Sequence, residues 1–193
     1  MSTRISKGGR LLDRNKRLSF TFNGRNLSGF QGDTLASALL ANDQVLVGRS
    51  FKYHRPRGFV SSGVDEPNAL MSLGHGGNFE PNRSATTVEL MDGIEAVSQN
   101  HLGSLDWDLG FINNFFAKIF PAGFYYKTFM KPRFAWKHLF EPIIRNAAGL
   151  GRAPSLPDEA SYDYFYAHAD ILVVGAGMAG LLATYELAKS GLN

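Results

Sequence analysis

Leu18-Ser19-Phe20-Thr21-Phe22-Asn23-Gly24 decides how this chain begins to fold. Apolar side chains at 18, 20 and 22 alternate with hydroxyls at 19 and 21, the period-two pattern of a strand with one face in a core. Asn-Gly follows at once, and these two residues take positive φ most readily, so the chain turns back into a hairpin. A second strand is predicted over Arg25 to Phe30. Gly32-Asp33-Thr34 comes next, with Asp33 placed to cap a helix from Thr34 to about Ala41 and Leu35, Ala38 and Leu39 on its apolar stripe. Hairpin then helix is the opening of a β-grasp, ferredoxin-like domain.

Downstream, Glu66-Pro67-Asn68 and Glu80-Pro81-Asn82 read as turns that lead into strands over Ala69 to Leu73 and Ala85 to Leu90. Proline biases the residue before it towards extended backbone, which suits a strand entry. From Gly103 to about Gly151 the character changes. Residues 107–140 hold 12 of the 24 aromatic residues, from Trp107 and Phe111 through Phe115, Phe116, Phe120, Phe124, Tyr125, Tyr126 and Phe129 to Phe134, Trp136 and Phe140. Pro121, Pro132 and Pro142 cut this stretch into short helices or turns. So much aromatic surface on short elements cannot close a core alone, and it is expected to pack on the first domain, on further chain or on another subunit. Gly149 to Asp158 reads as a linker.

A chain of 193 residues with 44% hydrophobic and 19% charged residues is of globular composition. It contains no cysteine, which excludes disulfides, thiolate zinc sites and cysteine nucleophiles and predicts that no iron–sulfur cluster is held by this chain. The net charge of +3 is unevenly spread. Arg4, Lys7, Arg10, Arg14, Lys16 and Arg17 face only Asp13 in a basic N-terminal arm, expected to be solvated; Arg49, Lys52, Arg55 and Arg57 share a segment with no acid; the remainder is net negative. No secretory signal is expected, because no apolar run follows the arm. Leu109 to Tyr126, the most apolar stretch, is broken by Asn113, Asn114, Lys118 and Pro121, so neither a membrane span nor a membrane partner is expected. Nucleic acid is not an expected partner either.

Asp170-Ile171-Leu172-Val173-Val174 reads as a buried strand feeding Gly175-Ala176-Gly177-Met178-Ala179-Gly180, with a helix from Leu181 to Ser190 closed by Gly191. Strand, glycine hexad and helix in that order are the signature of a dinucleotide-binding βα unit. Gly175 allows the tight turn, Gly177 lets the backbone approach a pyrophosphate, and Gly180 lets helix and strand pack closely. The helix N-terminus offers its unpaired N–H groups to the anion. The acidic residue that would grip the adenosine ribose belongs about 20 residues further on, so these residues do not separate NAD from FAD.

Other chemistry is sparse. The five histidines, 54, 75, 101, 138 and 168, are too far apart for a local zinc motif. Gly74-His75-Gly76-Gly77 has the composition of an anion cradle, although an ordinary loop is the plainer reading. Gly48 to Gly58, GRSFKYHRPRG, is dense in cations and aromatics and suits a phosphate, a carboxylate or the acidic face of a partner.

GRSFKYHRPRG (48–58), EPNAL (66–70), ATTVEL (85–90), GIEAVSQN (93–100) and ADILVVGAGMAGLLA (169–183), in that order, resemble the start of the α subunit of heterotetrameric sarcosine oxidases. The resemblance runs from about residue 10 to 193. It implies an oxidoreductase that demethylates sarcosine to glycine, forms hydrogen peroxide and passes the one-carbon unit to tetrahydrofolate. NAD is implied for the α subunit, with Gly175, Ala176, Gly177, Met178, Ala179 and Gly180 around it; FAD, FMN and zinc are implied for the whole complex, and β, γ and δ subunits as partners in the cytoplasm. Related α subunits of amine or opine dehydrogenases and of cyanide synthases stand as the alternative, as does a non-enzymatic β-grasp interaction module. The expected chain is α+β: a basic arm (1–15), a cysteine-free β-grasp domain (16–100), an aromatic helical connector (101–167) and the first βα unit of a Rossmann-type domain (168–193). As a fragment of a larger subunit it is expected to be inactive alone, and no residue is assigned to catalysis.

Overall fold

The computed structural model describes residues 3–116, 123 and 131–191. The chain divides into two compact units, Met1–Glu159 and Ala160–Asn193.

In the first unit, β1 (Asp13–Phe22) and β2 (Arg25–Gln31) form the expected hairpin, paired from Phe22↔Arg25 to Asp13↔Gln31. Asn23 and Gly24 at its tip both have positive φ, 48° and 77°, so the turn follows the right-handed twist of the strands. Helix α1 (Leu35–Ala41) follows. Its cap differs from expectation by one residue. The Thr34 side chain accepts from the Ser37 N–H, while the Ser37 hydroxyl accepts from the Thr34 N–H, a reciprocal capping box. Asp33 is turned to another task, described below.

After the short pair β3 (Gly48–Arg49) and β4 (Pro56–Arg57), the chain adds β5 (Leu70–Leu73), β6 (Glu80–Ser84) and β7 (Ile94–Ser98). The sheet order is β2-β1-β7-β5-β6, with β7 parallel to β1 and every other pairing antiparallel. The prediction for Ala85 to Leu90 fails: the strand is at Glu80–Ser84, so Glu80-Pro81-Asn82 lies within the strand it was expected to precede. Pro81 is tolerated because β6 is an edge strand, where a missing N–H costs no ladder bond. Residues 85–90 instead fold across α1, through Leu35 N–H to the Val88 carbonyl (2.8 Å) and Leu90 N–H to the Asp33 carbonyl (2.9 Å).

Phe20, Phe22, Leu35, Leu39, Val47, Met71, Val88, Leu90, Ala96 and Leu105 form one buried core between the sheet, α1 and the 85–90 segment. The alternation that predicted β1 thus has its inner face where expected.

The basic arm is not simply solvated. Arg4 donates two hydrogen bonds to the Asp33 carboxylate (3.0 and 2.6 Å) and lies over the Phe30 ring, and Thr3 N–H bonds the Ala41 carbonyl. Asp33 also accepts from the Ser37 hydroxyl and the Phe30 N–H. Burial pushes the Asp33 carboxyl up, but these donors and the Arg4 charge outweigh it and hold the group below the usual carboxylate value.

Beyond β7 a 3₁₀ turn covers Leu109–Asn114, and a π-type turn over Trp136–Phe140 runs into helix α2 (Glu141–Ala147). Among the described aromatics here, Trp107, Phe115 and Phe134 are about four-fifths exposed, and Phe111 meets Phe115 edge to face at 6.4 Å. Phe120, Pro121, Phe124, Tyr125, Tyr126 and Phe129 lie outside the described residues. No helix among the described residues is long and apolar enough to cross a membrane.

In the second unit, helix α3 spans Met178–Ala188, beginning three residues earlier than expected. No strand forms over residues 170–174. An extended apolar segment becomes a strand only when a neighbour takes up its backbone N–H and C=O groups, and the Rossmann unit is therefore not seen as such.

Candidate functional site

The glycine turn keeps the local geometry its composition implies. Gly175 has φ +110°, a conformation closed to ordinary side chains. A Cβ at Gly180 would fall 1.9 Å from the Gly175 carbonyl oxygen, so the first turn of α3 rests directly on the backbone that precedes it. Gly177 caps the helix with extended backbone, and its carbonyl receives the Leu181 N–H at 2.9 Å. Nothing lies within 4 Å of the positions a Cβ would take at Gly175 and Gly177, which leaves the mouth of the turn open. Ala176, Met178 and Ala179 complete the loop. The bend at Gly175 and the seat of Gly180 on the Gly175 backbone are what the unit itself displays, and an open turn at a helix N-terminus has the chemistry to take a pyrophosphate on backbone N–H groups.

The cationic segment 48–58 is built differently. Arg49 turns inward, donating to the carbonyls of Leu105 (2.9 Å from Nε) and Asp106 (3.2 Å). His54, at φ +53°, donates from Nδ1 to Asp108 at 2.7 Å. The other Asp108 oxygen accepts from the N–H groups of Leu102 (2.8 Å) and Gly110 (2.9 Å), while the Arg49 Nε stands 4.0 Å from the oxygen that His54 meets. Burial raises the Asp108 carboxyl, but the two backbone donors, then His54, more than offset this and leave it below its ordinary value. An ionised carboxylate only accepts, so the proton on this pair sits on His54 Nδ1. Asn100 adds a second joint, accepting the Arg49 N–H (2.8 Å) and donating to the Arg49 carbonyl. Gly110 is required at this point, since a Cβ there would lie 2.3 Å from His54 Nδ1.

Glu66 works in the same way on the next loop. Its buried carboxylate accepts from Val60, Ser61 and Asn68 N–H groups at 2.7–2.9 Å. Burial raises this carboxyl and the three backbone donors bring it below its ordinary value. Glu66 and Asp108 carried no separate signal in the sequence; both were embedded in segments read as turn or connector.

Gly74 to Gly77 is not an anion cradle. A Cβ at Gly77 would meet the Pro157 carbonyl oxygen at 2.0 Å, so the space is filled, and by an acceptor. His75 is exposed and pairs with Glu95 at 3.2 Å. His101 has both ring nitrogens buried without a hydrogen-bond partner among the described residues.

Residues 15–101 match the family of 2Fe-2S iron-sulfur cluster binding domains. This overturns the expectation that no iron–sulfur cluster belongs to this chain. That expectation came from cysteine content alone, whereas the match follows the sequence pattern of the whole hairpin, helix and sheet. The residues present do not fit the usual thiolate ligand set: there is no cysteine, and no group of three or more candidate ligands gathers among the described residues.

A solved L-proline dehydrogenase from P. horikoshii aligns at 24% identity and TM-score 0.36, over 44% of this chain and 16% of that one. Sequence likeness reaches much further. Sarcosine oxidase subunit alpha of Rhizobium meliloti (strain 1021) is 54% identical over 98% of this chain, and that of Corynebacterium sp. (strain U-96) is 36% identical over 95%. The counterpart from Corynebacterium sp. (strain P-1) is 34% identical over 93%. The chain spans 14–19% of the length of these relatives. Over nearly its whole length, the chain is similar to one part of sarcosine oxidase subunit alpha.

Proposed function

We propose that this chain is the N-terminal part of the α subunit of a sarcosine oxidase complex. The observation that carries the reading is the 54% identity over 98% of the chain to a sarcosine oxidase subunit alpha. In such a complex, sarcosine gives up two electrons and two protons to dioxygen, which leaves as hydrogen peroxide. The methyl carbon, now at the oxidation level of formaldehyde, passes to tetrahydrofolate and glycine is released. Bound flavin supplies the two-electron chemistry.

The residues of this chain serve that reaction by holding and assembling. The divisions 1–15, 16–100, 101–167 and 168–193 then read as arm, β-grasp domain, connector and the opening of a Rossmann-type domain. Gly175, Ala176, Gly177, Met178, Ala179 and Gly180 would hold the pyrophosphate of a dinucleotide, NAD by resemblance, through backbone N–H groups. The β, γ and δ subunits are the proposed partners, in the cytoplasm.

Deleting the encoding gene tests the reading. Extracts of the deletion strain should lose sarcosine-dependent peroxide formation, and the gene in trans should restore it. Undiminished peroxide formation in the deletion strain would refute the assignment.

A further inference from the structure

We propose that Gly48–Gly58 is a preorganised docking surface for an acidic peptide segment of a partner protein. Three observations support it. The loop is held from below. Arg49 and His54 are buried against Asp108 and the carbonyls of Leu105 and Asp106, Asn100 grips the Arg49 backbone, and Asn114 donates to the Tyr53 carbonyl at 3.0 Å. Its own hydrogen bonds, Ser50 N–H to the Arg55 carbonyl and Arg55 N–H to the Ser50 hydroxyl, both 2.9 Å, close the turn. Binding therefore costs little further ordering of the backbone.

The outward side is cationic and already arranged. Lys52 Nζ and Arg55 Cζ stand 4.8 and 5.0 Å from the centre of the same Tyr53 ring. Arg55 and Arg57 are exposed, and among the described residues no carboxylate forms an ion pair with either. Beside Arg57 opens a cavity of about 230 Å³ bordered by Ser50, Phe51, Asn68 and Asn100, of a size to take one side chain. Guanidinium groups with open forks recognise carboxylates in two-bond geometry.

Charge distribution selects the partner class. Apart from the N-terminal arm and this loop, acids outnumber bases in the chain. The two exposed guanidinium groups of Arg55 and Arg57 suit a short acidic segment. Nucleic-acid binding proteins commonly make about 6–10 phosphate contacts, more than this loop offers.

The test uses the full chain and a labelled peptide of alternating Glu and Ser, followed by fluorescence anisotropy, with oligodeoxythymidylate of equal charge as competitor. Arg55→Ser with Arg57→Ser should weaken peptide binding at least about tenfold, with the circular dichroism spectrum unchanged. Lys7→Ser with Arg10→Ser, on the arm, should leave it within about twofold. Asp108→Asn, which loosens the clasp but keeps every outward cation, should weaken binding and leave its salt dependence unaltered. Loss carried by the arm variant, no loss in the loop variant, or tighter binding of the oligonucleotide than of the peptide would each overturn the proposal.

Discussion

At the scale of single residues, the chain spends its buried charge on joints. Asp108, with its side chain fully enclosed, ties together two backbone N–H groups, His54 and, more distantly, Arg49. Asp108→Asn keeps the shape but removes an acceptor charge, and is predicted to cost about 1–3 kcal/mol at neutral pH. The sign with pH follows from the depressed folded value: the stabilisation is complete above the ordinary carboxylate pKa of about 3.9 and is lost as pH falls through the lower folded value. Urea unfolding from pH 7 down to acid should therefore show wild type and variant converging at low pH; a gap that persists there would contradict the assignment. Arg4→Ala tests the second joint. It leaves Asp33 buried with only Ser37 and Phe30 as donors, and the loss should be about 3 kcal/mol, the low end for a broken buried pair. Equal stability of wild type and variant would return the arm to the solvent.

At the scale of elements, legibility followed locality. The hairpin Asp13–Gln31 was readable because period-two alternation and Asn23-Gly24 are written within one short window, and both turn residues do adopt positive φ. Gly24→Ala is predicted to destabilise the hairpin by about 1–2 kcal/mol, the cost of a left-handed conformation for a residue with Cβ, measurable in thermal unfolding. Unchanged stability would mean that the turn is set by its flanks. Strand β6 was misplaced because Ala85 to Leu90 has strand-like composition, yet its apolar residues face α1 rather than a neighbouring strand. Only the tertiary arrangement decides that. Asp33 was likewise read as a cap because its spacing allowed it; the contact with Arg4, across 29 positions, is invisible locally. The bend at Gly175 needs only its neighbours in sequence, whereas the strand expected before it needs a partner strand and does not form. Gly180→Ala should open the glycine turn, since the added Cβ would meet the backbone oxygen of Gly175, and the complete subunit carrying it should lose at least about tenfold in dinucleotide affinity. Unaltered affinity by calorimetry would remove the turn from the site.

At the scale of the whole molecule, several large aromatic side chains stand in solvent, Trp107, Phe115, Phe134, Tyr164, Phe165 and Tyr166 each being at least 79% exposed. Trp107 is 86% exposed and Trp136 47%, and they are the only tryptophans. Fluorescence of the chain alone should show the red emission and easy quenching of wet indoles, shifting to the blue if the proposed partner subunits cover them. Emission that is already blue in the chain alone would contradict the exposed arrangement. The part of the site that was not legible, the cations of Gly48–Gly58 sorted into a buried clasp and an outward face, needed Asp108, more than 50 residues away from His54. No motif carries that separation. The measurement that bears most directly on the account is oxygen uptake and peroxide formation by the complex purified through a tag on this subunit. The prediction is sarcosine-dependent peroxide in proportion to oxygen consumed, with glycine as product. A pure complex that leaves sarcosine unoxidised, or that oxidises it without consuming oxygen, would contradict the assignment.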